Sequence, residues 1–455
     1  MEDKQKIIET SKVIHGETLY EQVYNPKTKK TYFLGWDKKN QETIPIDEII
    51  HDPLKYLPII DDLLEKKAVI LPTDATDYET VEELEIEIES FIQTWLDISE
   101  EHRQQATWYV MLSWVLDKLN TIPYLRALGD YGTGKTRYLD VIGGICYKPM
   151  FVGGAVRSAP IYRVIDLWRG TGIFDEFTLK KSDESEDIIQ ILNNGFQRGK
   201  PVLRCDSNNY DKVKAFDPFG AKLLGTRTRF YDRALESRCI TEIMQMTDRN
   251  DIPVDFTSHF YEKRAELQNK LLMYRFKNLD EIKPDESLTI DFGNILPRIK
   301  QTLTPFTVLF TTDKNRLTDF IRYAQLHNAN VVEENSTSFD GQIFNAYLKL
   351  IEEHQEEQQT FDDYHEPTIT SSTIRDSLIS DGWKEDKITA STIGKRLHAL
   401  GFKSIPKKIT GKTIKILNIE DTKLKLLKKR YVVTVVTEVT GVTEQAFETK
   451  EESNE

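Results

Sequence analysis

The sequence predicts an α/β fold: a parallel, doubly wound sheet with a helical lid, a small α+β region before it and a compact helix–hairpin unit after it. Three observations point there. Apolar strand-sized runs alternate with helical stretches from Tyr124 to about residue 245, the pattern of successive βα units. The first run, YLRALG, ends in the glycine-rich turn GDYGTGKT. Near the C-terminus, two amphipathic segments precede lysine-rich strands around Thr410-Gly411.

Residues 1–80 make the small α+β region. Within it, ETLYEQVYNPKTKKTYFLGW, residues 17–36, reads as a β-hairpin turning at Asn25-Pro26-Lys27, and residues 43–72 mix short helices and strands. Residues 81–256 hold the sheet and two helices that lead into it. The second of these, QATWYVMLSWVLDKLN, is apolar nearly all round, so it should be buried. Residues 257–350 are helix-rich and form the lid. Residues 351–368 are polar and acidic and read as a linker. Residues 369–420 are the separate small unit, and 421–455 a basic segment with a disordered tail.

With 455 residues, 39% hydrophobic and 30% charged, the chain has room for two to four domains. It contains no run of about 18 apolar residues, which argues against a membrane partner. The opening MEDKQKIIETSK lacks the apolar stretch of a signal peptide, and a cytoplasmic location is expected. Cys146, Cys205 and Cys239 lie far apart without metal-ligand spacing and read as free thiols. The net charge of −13 is segregated. Residues 73–102 carry eleven acidic and no basic side chains, whereas residues 384–430 carry fourteen Lys or Arg against four Asp or Glu. A basic block of this size is an electrostatic footprint for polyanions.

Gly129-Asp130-Tyr131-Gly132-Thr133-Gly134-Lys135-Thr136 satisfies G-x-x-x-x-G-K-[ST] between a strand and a helix. Glycines let consecutive backbone N–H groups curl around phosphate oxygens, and the following helix turns its positive end towards them. Lys135 would neutralise the β- and γ-phosphates of ATP, and the Thr136 hydroxyl would ligate Mg²⁺. Forty residues on, RGTGIFDEF places Asp175 and Glu176 at a strand end. Asp175 suits the Mg²⁺ shell, and Glu176 suits a base that polarises the attacking water. In AKLLGTRTRFYDRALESRCITEIM, the strand KLLGT ends at Thr226, a polar group placed to sense the γ-phosphate, and Arg238 ends a short helix before another strand.

The order of glycine-rich loop, DE strand, polar strand end and Ser-Arg resembles the AAA+ ATPases. SRC is similar to the arginine-finger motif of clamp loaders, and LESRCI to the matching segment of minichromosome maintenance helicases. More specifically, over roughly residues 100–345 the chain resembles AAA+ proteins of plasmids, phages and integrated elements, described as helicase-like or primase-associated. The resemblance implies that Arg238 reaches the γ-phosphate of a neighbouring subunit; the plain alternative is a salt bridge within its own subunit, and Arg233 is the second candidate finger. The chain departs from the pattern at Thr226, where many members carry asparagine. The resemblance also implies a second arginine facing the nucleotide from the lid, with Arg298 the first choice and Arg275 the alternative.

QILNNGFQRGKPVLRC reads as a hairpin with Arg198 and Lys200 at its tip. In hexameric helicases of this superfamily a hairpin in this interval grips the strand; an ordinary surface hairpin is the alternative. SSTIRDSLISDGW reads as a helix capped by Ser371 or Ser372, and TASTIGKRLHALGF as a second helix ending at Gly401. With the basic hairpin that follows, the unit looks like a winged helix. Lys395, Arg396 and His398 on the second helix and Lys407, Lys408 and Lys412 on the wing are then the expected DNA contacts, unless the unit serves protein contacts. The expected whole is an ATP- and Mg²⁺-dependent helicase or translocase acting on DNA as a homo-oligomer, a hexameric ring, with replication proteins as further partners. A non-translocating switch is the second expectation.

Overall fold

The computed structural model describes residues 6–16, 18–153, 157–176, 182–206, 209–285, 289–358, 367–409 and 412–433. They form two compact units, one of residues 1–290 with 302–313, the other of 291–301 with 314–455.

The first unit opens with seven strands: β1 (Lys6–Thr10), β2 (Lys12–His15), β3 (Thr18–Asn25), β4 (Lys30–Asp37), β5 (Glu42–Ile46), β6 (Ile49–His51) and β7 (Leu54–Pro58). Strands β2-β3-β4-β5 make one antiparallel sheet, and β1-β7-β6 a smaller one. The expected hairpin is β3–β4. Its turn is held by the Asn25 carbonyl oxygen Oδ1, which accepts from the N–H groups of Lys27 and Thr28.

Helices α1 (Asp62–Glu65), α2 (Val81–Trp95) and α3 (Glu100–Trp114) follow. Thr80 and Ser99 cap α2 and α3 through their side chains. As the sequence implies, α3 is buried on every side from Gln105 to Trp114. The central sheet then has the order β14-β8-β13-β10-β9, all parallel: β8 (Tyr124–Leu128), β9 (Pro149–Val152), β10 (Thr171–Phe174), β13 (Lys222–Thr226) and β14 (Cys239–Ile243). Tyr124, Met150, Phe174 and Leu224 pack against α5 (Ser158–Trp168) and α6 (Asp183–Gly195). On the opposite face Ile173 closes on Gly143 so tightly that a Cβ there would lie 2.5 Å from its Cδ1.

The N-terminal strands are not an independent domain, because a buried ionic network ties them to the core. Glu21 of β3 is 1% exposed and meets Lys148 at 2.8 Å and Arg275 at 2.8 Å. Arg275 lies on α8 (Ser258–Asn278), also pairs with Asp117, donates to the Trp114 carbonyl and stacks on Tyr147 at 4.5 Å. Arg275 is thus a buried clamp inside the first unit, not a lid arginine. Helix α8 packs on α2 and α3, so the stretch expected to be a lid is divided between the units.

Three further expectations change. QILNN lies in α6, so QRGKP is a turn before a hairpin rather than its tip. The hairpin itself is β11 (Val202–Asp206) with β12 (Asn209–Phe216). The acidic stretch begins as helix, since Phe339–Gln358 is one continuous element; residues 359–366 lie outside the described residues. The basic segment after residue 420 is also helical at Asp421–Tyr431, where Leu427 and Tyr431 join a core with Ile343, Phe344, Ile374 and Leu397. The tail from residue 434 lies outside the described residues.

In the second unit, helices Ser371–Ser380 and Ala390–Ala399 precede the antiparallel pair β15 (Lys403–Ile409) and β16 (Lys412–Asn418). Thr370, not Ser371 or Ser372, caps the first helix, in a reciprocal box with Thr373. Gly401 follows the second with φ of +99°, the left-handed turn expected of it. The expected turn at Thr410-Gly411 lies outside the described residues. Among the described residues no helix is long and apolar enough to cross a membrane.

Candidate functional site

The glycine-rich loop leaves β8 where β13 and β14 flank it. Gly129 donates to the Thr226 carbonyl at 3.1 Å, and Met244 to that of Leu128 at 2.8 Å. A Cβ at Gly129 would lie 2.6 Å from Thr133 Oγ1 and 2.7 Å from the Met244 carbonyl oxygen, so the loop's first position admits glycine alone. Gly132 and Gly134 take φ of +72° and +87°, which bends the backbone into a cradle. Inside the loop the Asp130 carboxylate accepts from Tyr131 N–H, and the Asp130 carbonyl accepts from Thr133 Oγ1 and Lys135 Nζ. Lys135 and Thr136 start helix α4 (Lys135–Tyr138).

The acidic pair sits directly opposite. Thr136 Oγ1 donates to Asp175 Oδ2 at 2.8 Å, and Asp175 Oδ1 accepts the Glu176 N–H at 2.8 Å. A hydroxyl and a carboxylate so close to a phosphate-sized cradle form the donor set that Mg²⁺ takes, hard oxygens with room for water and phosphate. Thr136 and Asp175 would hold the ion, which when bound neutralises phosphate charge. Glu176 is exposed beside them with φ of +50°, a left-handed conformation that costs a non-glycine residue about 1–2 kcal/mol. Thr226 is 1% exposed, and its hydroxyl has no hydrogen-bond partner among the described residues. It lies in register with Leu128, one residue before the loop.

Arg238 lies elsewhere. Its carbonyl accepts from Tyr124 N–H, so it stands at the start of β8 and β14, whereas the loop leaves the far end of β8. About four strand steps at about 3.3 Å each separate the two edges by roughly 13 Å, so Arg238 cannot serve its own loop. Its Nη1 donates to Asn193 at 2.7 Å, its guanidinium lies 5.2 Å from the Phe196 ring, and its Nε is buried without a hydrogen-bond partner among the described residues. The helix before it, α7 (Arg233–Glu236), is pinned to the sheet by Arg126. That buried guanidinium forks onto Glu236 at 2.6 and 2.7 Å.

Other predicted residues scatter. Arg198 donates to the carbonyls of Leu119 and Leu116, both at 3.0 Å, and stacks on Phe219 at 4.4 Å, which holds it against the body of the unit; Lys200 is exposed. Arg298, in the part of helix Pro297–Leu303 that belongs to the second unit, donates to Gln301. Lys395, Arg396, His398 and Lys408 are exposed, Lys407 is half-buried, and the Lys412 side chain lies outside the described part. Arg396 approaches Asp340 at 3.6 Å.

Sequence reasoning passed over Arg227. It follows Thr226, stacks on the Tyr131 ring at 3.4 Å and meets Glu176 at 3.4 Å. Its position after the polar end of a strand that lies between the loop and the acidic pair is the signal that could have found it.

No family model and no curated protein matches the sequence. Among solved structures, the chain is similar to the NrS-1 C-terminal region (305–718), with 12% identity, TM-score 0.35 and coverage of 88% of this chain and 96% of that one. It is similar to the JCV helicase at 15% identity and TM-score 0.26, over 51% of this chain and 66% of that one. It is also similar to a point mutant of Thermotoga maritima RuvB, at 15% identity and TM-score 0.22, over 74% of this chain and 97% of that one. The superposition is loose in all three.

Proposed function

We propose that this chain is an ATP hydrolase of AAA+ type that works on DNA as a ring of identical subunits, a helicase or translocase serving replication of a mobile element. The observation that carries the hydrolase is the 2.8 Å contact between Thr136 and Asp175, with Glu176 beside it. Lys135 and the loop N–H groups hold the phosphates, and Glu176 takes the proton of the attacking water. The position of Arg238, far from its own loop, favours a site completed by a neighbouring subunit.

The test is nucleotide binding and turnover, measured with and without DNA. Lys135→Ala should lose ATP binding, because the phosphates lose their nearest point charge. Glu176→Gln should bind ATP but turn it over slowly, at about 10²-fold or more below the parent. Equal turnover for the parent and the glutamine variant would sink the assignment.

DNA binding rests on the exposed lysines of the winged-helix-like unit. Lys395→Ala combined with Lys408→Ala, in the full chain, should lower the slope of log affinity against log salt by about two, at about 0.9 per phosphate contact. An unchanged slope would reassign the unit to protein contacts. The second reading is a non-translocating switch. A translocase needs a basic element in its channel, and the β11–β12 hairpin, with exposed Lys212 and Lys214, is the candidate. DNA-independent turnover in an assembled ring would favour the switch.

A further inference from the structure

The end of β13 lies between the strand that feeds the loop and the strand that carries the acidic pair, and Arg227 bridges that gap. Its guanidinium covers the Tyr131 ring at 3.4 Å and also donates to the Tyr131 hydroxyl. Its Nη2 lies 3.4 Å from Glu176 Oε1. The Arg227 side chain is 29% exposed and that of Glu176 67%, so the bridge stands at the mouth of the site. Tyr131, itself 66% exposed, is a large aromatic ring at the tip of a phosphate loop with no packing role in the core. The cation that covers it is Arg227.

We infer that Arg227 is a latch that reads the terminal phosphate: it holds Glu176 while the site lacks one and turns onto the γ-phosphate when a nucleoside triphosphate binds. The inference rests on the nucleotide reading of this site. A guanidinium forks onto phosphate as readily as onto carboxylate, and a terminal phosphate carries more charge than a single Glu176. The triphosphate therefore outcompetes the glutamate for the cation. A diphosphate, whose anionic groups lie deeper in the loop beside Lys135, leaves the bridge closed. Release frees Oε1 of Glu176 for water, so the base becomes available when there is a phosphate to transfer. The stack on Tyr131 keeps the guanidinium poised over the loop rather than in solvent.

The experiment is a calorimetric titration of the full chain with ADP and with a non-hydrolysable ATP analogue, each with Mg²⁺. In the parent, the triphosphate analogue should bind more tightly than ADP. In Arg227→Met that preference should shrink by roughly ten- to a hundredfold, the loss of a charged hydrogen bond, through weaker analogue binding. Arg227→Lys keeps the charge without the fork and should fall between. Tyr131→Ser, which removes the stack that keeps the guanidinium over the loop, should also narrow the preference. If Arg227→Met melts below the parent, the lysine variant carries the comparison. A preference ratio equal to the parent's in both Arg227 variants would overturn the latch while leaving the site intact. Failure of the parent to bind either nucleotide would overturn the nucleotide reading itself.

Discussion

Arg238→Ala should bind nucleotide and assemble normally yet hydrolyse ATP roughly 10³-fold or more slowly than the parent. The loss is large because a guanidinium placed at the γ-phosphate meets charge that develops mainly in the transition state. The parallel register of β8 and β14 puts Arg238 at the sheet edge opposite its own loop, so a phosphate that Arg238 contacts would have to belong to another copy. A rescue follows from that. An Arg238→Ala subunit keeps an intact loop, and a Lys135→Ala subunit keeps an intact arginine. In an equal mixture of exchanging subunits, about a quarter of head-to-tail interfaces pair a good loop with a good arginine. Activity should therefore rise from background as one inactive variant is titrated into the other at constant total protein. A flat titration would return Arg238 to the local role shown by its contacts with Asn193 and Phe196. Glu236→Gln gives a graded control, because it loosens the Arg126 fork that holds the helix before Arg238.

Arg275→Met should destabilise the first unit by about 3–5 kcal/mol, the cost of leaving buried charges without a partner. Arg275 is fully buried and is shared by Glu21 and Asp117. Methionine fills much of the same volume but leaves the two carboxylates with Lys148 and Lys12 as cations and the Tyr147 hydroxyl as a donor to Glu21. The readout is the urea midpoint of the first unit, and a shift worth less than about 1 kcal/mol would mean that the network is not coupled to folding. Acid should act on the same network. Burial opposes the charge on Glu21, but Lys148 and Arg275 outweigh it and hold its carboxyl below the ordinary range. The folded chain thus binds that proton less readily than the unfolded one. Its contribution is present above the ordinary carboxylate range and is lost as pH falls through the lowered folded value. Burial meanwhile pushes the Lys148 ammonium down to about 8 despite its carboxylate neighbour.

The loop, the acidic pair and the parallel strands behind them were legible because each is written in contiguous residues. Glycines at 129, 132 and 134 mark backbone conformations that other residues resist, and apolar runs such as YLRAL announce strands buried on both faces. The helix–helix–hairpin unit was legible for the same reason, through its amphipathic segments and its glycine stop, although Thr370 rather than Ser371 or Ser372 caps the first helix. What the sequence could not show is which distant side chains meet. Arg275 read as the alternative lid arginine, and only packing brought it to Glu21, 254 positions away. Arg198 looked like a hairpin tip because QRGKP is turn-like, yet the helix before it runs on to Gly195 and its guanidinium finds the carbonyls of Leu116 and Leu119. Arg227 carried no motif at all; the tertiary order of β8, β13 and β10 made it the bridge between loop and glutamate. Local backbone preference and periodicity determined most of the elements and the glycine-rich cradle. The partners of buried and bridging charges were decided by the tertiary structure, because a long cation can satisfy many acceptors and only the packed chain selects among them.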